Sequence, residues 1–80
     1  MNPIDIALRI ATSAHAGQLD RDGYPVILHP LTVGLMSHAD EEKMTDFLHD
    51  VVEDTSYSFE DLLHEGIPTG VVNALRRSEE

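Results

Sequence analysis

Residues 47–55 read Phe47-Leu48-His49-Asp50-Val51-Val52-Glu53-Asp54-Thr55, and this stretch decides the fold of the chain. Wound as an α-helix, at about 100° per residue, it separates a polar face from an apolar face. The polar side chains fall within one arc of roughly 140°, and they are His49, Asp50, Glu53 and Asp54. The opposite arc is apolar and contains Met44, Phe47, Leu48, Val51 and Val52. The stretch therefore predicts an amphipathic helix with polar chemistry on one side and the core on the other.

The adjacent pair His49-Asp50 sets an imidazole nitrogen beside a carboxylate oxygen on one turn of this helix. Two donors of different hardness, held on a rigid turn, suit a divalent transition metal. The competing interpretation is an acidic, solvated helix face, because the outer face of a surface helix is normally charged. The stretch alone leaves both interpretations open.

Composition limits the chain to one small domain. Its 80 residues are 41% hydrophobic, which is a globular composition. A chain this short buries only about 60% of its unfolded surface, so we expect modest stability. We treat residues 1–80 as a single domain. The absence of cysteine excludes disulfides and thiolate metal sites.

Charge narrows the range of partners. Fifteen acidic and five basic residues give a net charge of −10, which argues against a DNA- or RNA-binding surface. A small phosphorylated substrate stays compatible, because a bound cation and local arginines can reverse the field within one cleft. Neither a signal-peptide pattern nor an apolar run of membrane-spanning length is present, so we expect no membrane contact and a cytoplasmic location.

Capping signals and apolar spacing predict an all-α fold with about five helices. The predicted helix starts are Asn2-Pro3, His29-Pro30, Asp40 as a cap, the capping box of Ser58 with Asp61, and Pro68. The third helix should end near Glu53 or Asp54, and Gly66 should stop the fourth. The fourth helix should bury Phe59, Leu62 and Leu63, and the fifth Val71, Val72 and Leu75. No terminator precedes Glu80, so the fifth helix is expected to continue past the end of the chain.

His15 is expected to point into the protein. It lies eleven residues after Ile4, on the same helical face as Leu8 and Ala11. A lone inward histidine is usually a hydrogen-bonded core residue, and that interpretation competes here with a functional one.

Residues 17–28 form a long connection, and long loops in compact domains are often functional. A calcium-binding loop does not fit, because Gln18 and His29 would occupy the first and last ligand positions. The loop is better interpreted as a turn around Gly23 that carries one exposed cation, Arg21.

Three features converge on one candidate site. They are His29 at a helix start, the His49-Asp50 pair, and the acidic Glu53-Asp54 pair one turn later. A histidine from one helix and a His-Asp pair from another can hold a metal from two sides, which leaves positions open for water and a phosphate oxygen. Glu53 and Asp54 are expected to lie too far around the helix to be easy ligands, and either could accept the proton of the water.

Three segments together resemble one known family. They are residues 14–18 (Ala-His-Ala-Gly-Gln), residues 23–31 (Gly-Tyr-Pro-Val-Ile-Leu-His-Pro-Leu) and residues 48–55 (Leu-His-Asp-Val-Val-Glu-Asp-Thr). Their order and spacing are similar to the hydrolase domain of RelA/SpoT-type enzymes, which belong to the HD-domain superfamily. The resemblance covers roughly residues 4–75, nearly the whole chain.

The resemblance implies an HD-domain-like helical bundle with one divalent metal, typically manganese (Mn²⁺). The implied reaction removes pyrophosphate from the 3′ position of guanosine tetraphosphate or pentaphosphate, the alarmones of the stringent response. By residue, the resemblance implies metal ligands at His29, His49 and Asp50, and water activation by Glu53 and Asp54. It also implies substrate-side roles for His15, near the metal pocket, and for Arg21, which would face the nucleotide.

The chain also departs from the family pattern. The family usually supplies a fourth ligand, an aspartate on a later helix, and Asp61, Glu79 and Glu80 do not lie in a matching motif. Asp20 stands where long family members carry a basic residue against guanine, and Val26 replaces an aromatic residue.

These departures keep two alternatives open. One is an HD-type phosphohydrolase for another nucleotide. The other is a non-catalytic helical fragment that binds a metal or a partner, including a second copy of the chain through an exposed apolar helix face.

Overall fold

Five helices make up the regular structure of residues 2–78, the part of the chain that the computed structural model describes. They are α1 (Pro3–Ala14), α2 (Leu28–Met36), α3 (Asp40–Asp54), α4 (Phe59–Glu65) and α5 (Thr69–Ser78). A single antiparallel bridge between Leu19 and Pro25 closes the loop before α2. The predicted all-α class with five helices is confirmed, and the arrangement is consistent with an HD-domain-like bundle. Within residues 2–78, no helix is long and apolar enough to cross a membrane.

Three predicted end signals, on helices α1 and α4, act as expected. The side chain of Asn2 caps α1 by accepting the Ile4 N–H at 2.9 Å. Ser58 and Asp61 form the complete capping box of α4, with bonds of 3.1 Å and 2.9 Å. Gly66 ends α4 with a φ of +104°, in the left-handed region that favours glycine.

Three predicted helix starts are wrong by one residue. The second helix begins at Leu28, one residue before His29. Ala39 is the N-cap of α3 and makes no capping bond, whereas Asp40 is the first helical residue. Its carboxylate still suits the first turn, where negative charge complements the helix dipole. The fifth helix begins at Thr69, and the Pro68 carbonyl accepts its first backbone bonds. The predicted lack of a terminator at Glu79 and Glu80 lies outside the described residues.

The core is built around α3, which packs against α1, α2 and α5. Its apolar arc is buried as predicted, with Val52 half-buried. The buried core residues are Ile6, Ala7, Ile10, Ala11, Met44, Phe47, Leu48, Val51, Leu62, Ile67, Val71, Val72 and Leu75. The burial predicted for Leu63 is wrong, because its side chain is 39% exposed.

The outer side of α2 is apolar and exposed. Leu35 and Met36 are 74% and 76% exposed, and Leu28 is 48% exposed. The inner side packs on α3 through Pro30 and Gly34, which are buried. This outer surface of Leu28, Leu35 and Met36, here called the α2 apolar face, is the exposed apolar helix face of the described chain.

Candidate metal centre

A narrow cleft between α2 and α3 contains the three predicted metal ligands. His29 stands in the first turn of α2, and His49 and Asp50 stand together near the C-terminal end of α3. The cleft has a volume of about 170 Å³, and its walls are His29, Pro30, Val33, Asp46, His49 and Asp50. The fold therefore brings residues separated by twenty positions of sequence to one place.

Packing on both helices holds these side chains at the edge of the cleft. Leu48 and Val51, which flank the His-Asp pair, are fully buried and fix the rotation of α3. The side chains of His49 and Asp50 are 42% and 33% exposed. Pro30 is buried beside the exposed His29. The donors are thus reachable from solvent while the backbone that carries them is anchored in the core.

Three donors on α3 lie close enough together for one ion. The Nδ1 atom of His49 is 3.5 Å from Oδ1 of Asp50 and 3.8 Å from Oε2 of Glu53. One donor atom of each of the three residues lies within 4.8 Å of the others. A nitrogen and two carboxylate oxygens, half-exposed and without thiolates, form a donor set suited to a divalent cation. The chemistry of these residues therefore fits the predicted metal.

His29 and Glu53 differ from expectation in opposite ways. His29 lines the cleft, but it is not within the 4.8 Å group of the described residues. Glu53 was expected to lie too far around the helix to be a ligand, yet its carboxylate belongs to that group. Asp54 is exposed at the last position of α3 and lies outside the group.

His15 lies inside the protein, as predicted, with 2% exposure. Its Nδ1 atom is 3.0 Å from Oε1 of Gln18, and its buried Nε2 atom has no hydrogen-bond partner among the described residues. His15 is not among the residues that line the cleft. Its burial leaves little surface for direct contact with a nucleotide.

The loop that carries Arg21 is braced by Asp20. The Oδ1 atom of Asp20 accepts the backbone N–H groups of Asp22 at 2.9 Å and Tyr24 at 3.0 Å. Gly23 supplies the turn with a φ of +87°. Arg21 is exposed at the tip of this turn, as predicted. Asp20, which departs from the family pattern, therefore has a local structural role.

Asp46 is a wall of the cleft that was not among the predicted site residues. It lies one turn before His49 on the same helical face, at a spacing of three residues. That spacing was visible in the sequence, but Asp46 lies outside the family motif, and α3 carries six other acidic residues.

The sequence of this chain is similar to segments of several known proteins. The chain is 45% identical over 60 residues to the guanosine-3′,5′-bis(diphosphate) 3′-pyrophosphohydrolase of Haemophilus influenzae, covering 70% of the chain and 9% of that protein. It is 38% identical over 66 residues to the GTP pyrophosphokinase of Streptomyces coelicolor, covering 78% of the chain and 8% of that protein. The bifunctional (p)ppGpp synthase/hydrolase SpoT of Escherichia coli matches at 38% over 60 residues, covering 70% of the chain and 8% of that protein. No protein-family model matches the chain.

The fold and the donor cluster define an all-helical domain with a His/Asp/Glu group on its central helix. Over the matched residues the chain is of RelA/SpoT type. It spans less than a tenth of the length of these relatives.

Proposed function

We propose that this domain is a metal-dependent phosphohydrolase of HD type, active in the cytoplasm. Its substrate is guanosine tetraphosphate or a related phosphorylated nucleotide, from which it removes pyrophosphate at the 3′ position. The observation that carries this proposal is the cleft shared by His29, His49 and Asp50. The activities for which two of the relatives are named, a 3′-pyrophosphohydrolase and a synthase/hydrolase, support it.

His29, His49 and Asp50 would hold the divalent metal, for which we propose Mn²⁺. When bound there, such an ion lowers the pKa of water and neutralises charge on phosphate oxygens. The hard carboxylate and the two imidazoles of this cleft are compatible with manganese. Because the chain has no cysteine thiolates, these donors do not favour soft metal ions such as Cu(I).

The acidic pair on α3, Glu53 and Asp54, would accept the proton of the attacking water. As water attacks the phosphorus atom, Glu53 or Asp54 would accept the water's proton on a carboxylate oxygen. The bond from phosphorus to the 3′ oxygen would break, releasing pyrophosphate, and the 3′ oxygen would take a proton from solvent to become the 3′ hydroxyl of the nucleotide. Both side chains are exposed, and an oxygen of Glu53 belongs to the same group as the donors of His49 and Asp50. A base must come within hydrogen-bond reach of the proton it accepts, which favours Glu53 for this step.

Two further residues would act on the substrate side. Arg21 is an exposed cation on the loop before α2 and can pair with a phosphate group. His15, which is buried, would act by holding α1 and the following loop in place through Gln18. Its contribution is therefore positional.

The test is manganese-dependent release of pyrophosphate from guanosine tetraphosphate. We expect the wild-type domain to be active and His49→Ala to lose both activity and Mn²⁺ binding. His38→Ala is the matched control, because His38 is exposed and does not line the cleft. Equal turnover by His49→Ala and the wild type would refute the proposal.

A different nucleotide substrate is the second candidate. It is favoured by Asp20, whose carboxylate stands on the loop where a basic residue contacts guanine in the family. A panel of phosphorylated nucleotides, assayed with the same metal, separates the two candidates by the ratio of kcat/KM values.

We also propose that two copies of the domain associate through the α2 apolar face. This helix has no Asp, Glu, Lys or Arg, whereas each of the other helices has at least one charged residue. Copies that each carry a net charge of −10 repel one another least where no charge lies at the contact. The exposed Leu35 and Met36 supply the apolar surface that such a contact would remove from water.

A further inference from the structure

We propose that Asp46 is part of the cation site and contributes a carboxylate to it. This inference rests on the proposed function, because it concerns the same cleft. It adds the carboxylate of Asp46 to the proposed metal ligands His29, His49 and Asp50.

The position of Asp46 is the first argument. It lines the same 170 Å³ cleft as His29, His49 and Asp50. Residues three and four apart on a helix are neighbours on its surface, and Asp46 is three residues before His49 and four before Asp50. Two carboxylates and two imidazoles, from two helices, therefore line one small volume. Asp46, like His29, borders the group of donors within 4.8 Å rather than belonging to it.

The second argument is the way in which Asp46 is oriented. Its Oδ2 atom accepts a hydrogen bond from the hydroxyl of Ser37, the residue that follows α2. The Ser37 carbonyl in turn accepts a hydrogen bond from Lys43. This chain of bonds fixes the Asp46 side chain and leaves its Oδ1 atom without a hydrogen-bond partner among residues 2–78. A carboxylate held by one oxygen can offer the other to a cation at little entropic cost.

The third argument is charge. Asp46 is half-buried, and no Lys or Arg nitrogen of the described chain lies within 4.0 Å of its carboxylate. The ammonium group of Lys43 bonds instead to backbone carbonyls at the end of α2, including that of Gly34 at 3.4 Å. Arg77 borders a neighbouring groove with Asp46 but makes no ion pair with it. Withdrawal of a carboxylate from water is costly without a cation, so Asp46 and Asp50 together favour a divalent ion.

The experiment compares Mn²⁺ affinity among variants by isothermal titration calorimetry on the full chain. Asp46→Asn keeps the size of the side chain and an oxygen that can accept the Ser37 bond. We expect it to weaken Mn²⁺ binding about tenfold, the lower end of the range for groups that support metal ligands. Asp40→Asn is the matched control: it makes the same change on the same helix, at an exposed position outside the cleft.

Two further measurements separate cation binding from a structural role. The thermal midpoint of the metal-free Asp46→Asn variant should not fall below that of Asp40→Asn, and saturating Mn²⁺ should restore its turnover. Asp46→Glu, which retains the charge, should keep most of the affinity. Unchanged Mn²⁺ affinity in Asp46→Asn overturns the inference, as does a loss that Asp40→Asn reproduces.

The same measurements distinguish failure of this inference from failure of the proposed function. If His49→Ala binds Mn²⁺ as tightly as the wild type, the cleft is not the metal site and both proposals fail. If His49→Ala loses the metal while Asp46→Asn retains it, only the role of Asp46 is refuted.

Discussion

The ring of Phe47 lies against the backbone of Gly34, in the space that a side chain at that position would need. A Cβ atom on Gly34 would lie 2.7 Å from Cδ1 of Phe47, closer than Cβ atoms approach in real structures. This contact joins α2 to α3, the two helices that supply the walls of the cleft. Gly34 therefore sets the distance between His29 and the His49-Asp50 pair.

Gly34→Ala should destabilise the domain and loosen the metal site. Alanine would ordinarily gain about 1 kcal/mol of helix propensity over glycine, but overpacking against the ring costs typically 1–3 kcal/mol. We expect a lower thermal midpoint and weaker Mn²⁺ binding, because α2 must move away from α3. Thr32→Ala, at an exposed position of the same helix, is the control. A variant more stable than the wild type would show that Phe47 repacks freely.

His15→Ala should act mainly on stability. Removal of a buried side chain of this size leaves a cavity and costs about 2 kcal/mol. For a domain of this length, each kcal/mol of lost stability lowers the melting temperature by roughly 4–8 °C. Ser13→Ala, an exposed position on α1, is the control for calorimetric melting. Direct nucleotide contact by His15 would give a different result, namely a raised KM with the melting temperature unchanged.

Ser58→Ala should remove one of the two bonds of the capping box of α4. The change costs about 1 kcal/mol, because the backbone N–H of Asp61 loses its partner, whereas the backbone N–H of residue 58 can still donate to the Asp61 carboxylate. The measurement is urea unfolding. Ser56→Ala is the control, since Ser56 is exposed and lies in the turn between α3 and α4. Equal losses in both variants would mean that the capping bonds add nothing to stability.

Leu35→Glu should abolish self-association through the α2 apolar face. Leu35 is 74% exposed, so the monomer should fold unchanged while a charge enters the contact. Sedimentation velocity is expected to show a concentration-dependent dimer for the wild type and a monomer for the variant. Thr12→Glu, on the exposed side of α1, adds the same charge elsewhere. A wild type that remains monomeric at all concentrations would refute the proposed dimer.

Local signals made much of this fold predictable from the sequence. The Asn2 cap, the Ser58 box and the left-handed Gly66 depend on neighbouring residues alone, and each occurs as predicted. The apolar arc of α3 was predictable because helical periodicity separates Leu48 and Val51 from the acidic side.

Features that depend on tertiary packing were less predictable. Whether Leu63 is covered depends on which helices pack over α4, and helical spacing does not specify that. The place of Asp46 in the cleft depends on Ser37, nine residues earlier, and on the position of α2. Glu53 differs from these cases: its carboxylate lies 3.8 Å from His49 because residues four apart on a helix are neighbours, a relation that is predictable from the sequence.

The central position of α3 has a consequence for motion. Since α1, α2 and α5 all pack on this helix, its amides can exchange with solvent only when most of the domain unfolds. The main packing partner of α2 is α3 alone, so α2 can detach while the contacts of α3 with α1 and α5 remain. His49, Asp50 and Glu53 therefore sit on the slowest-exchanging part of the protein, and His29 on a faster one. Opening of the cleft would be a movement of His29 away from a fixed set of donors.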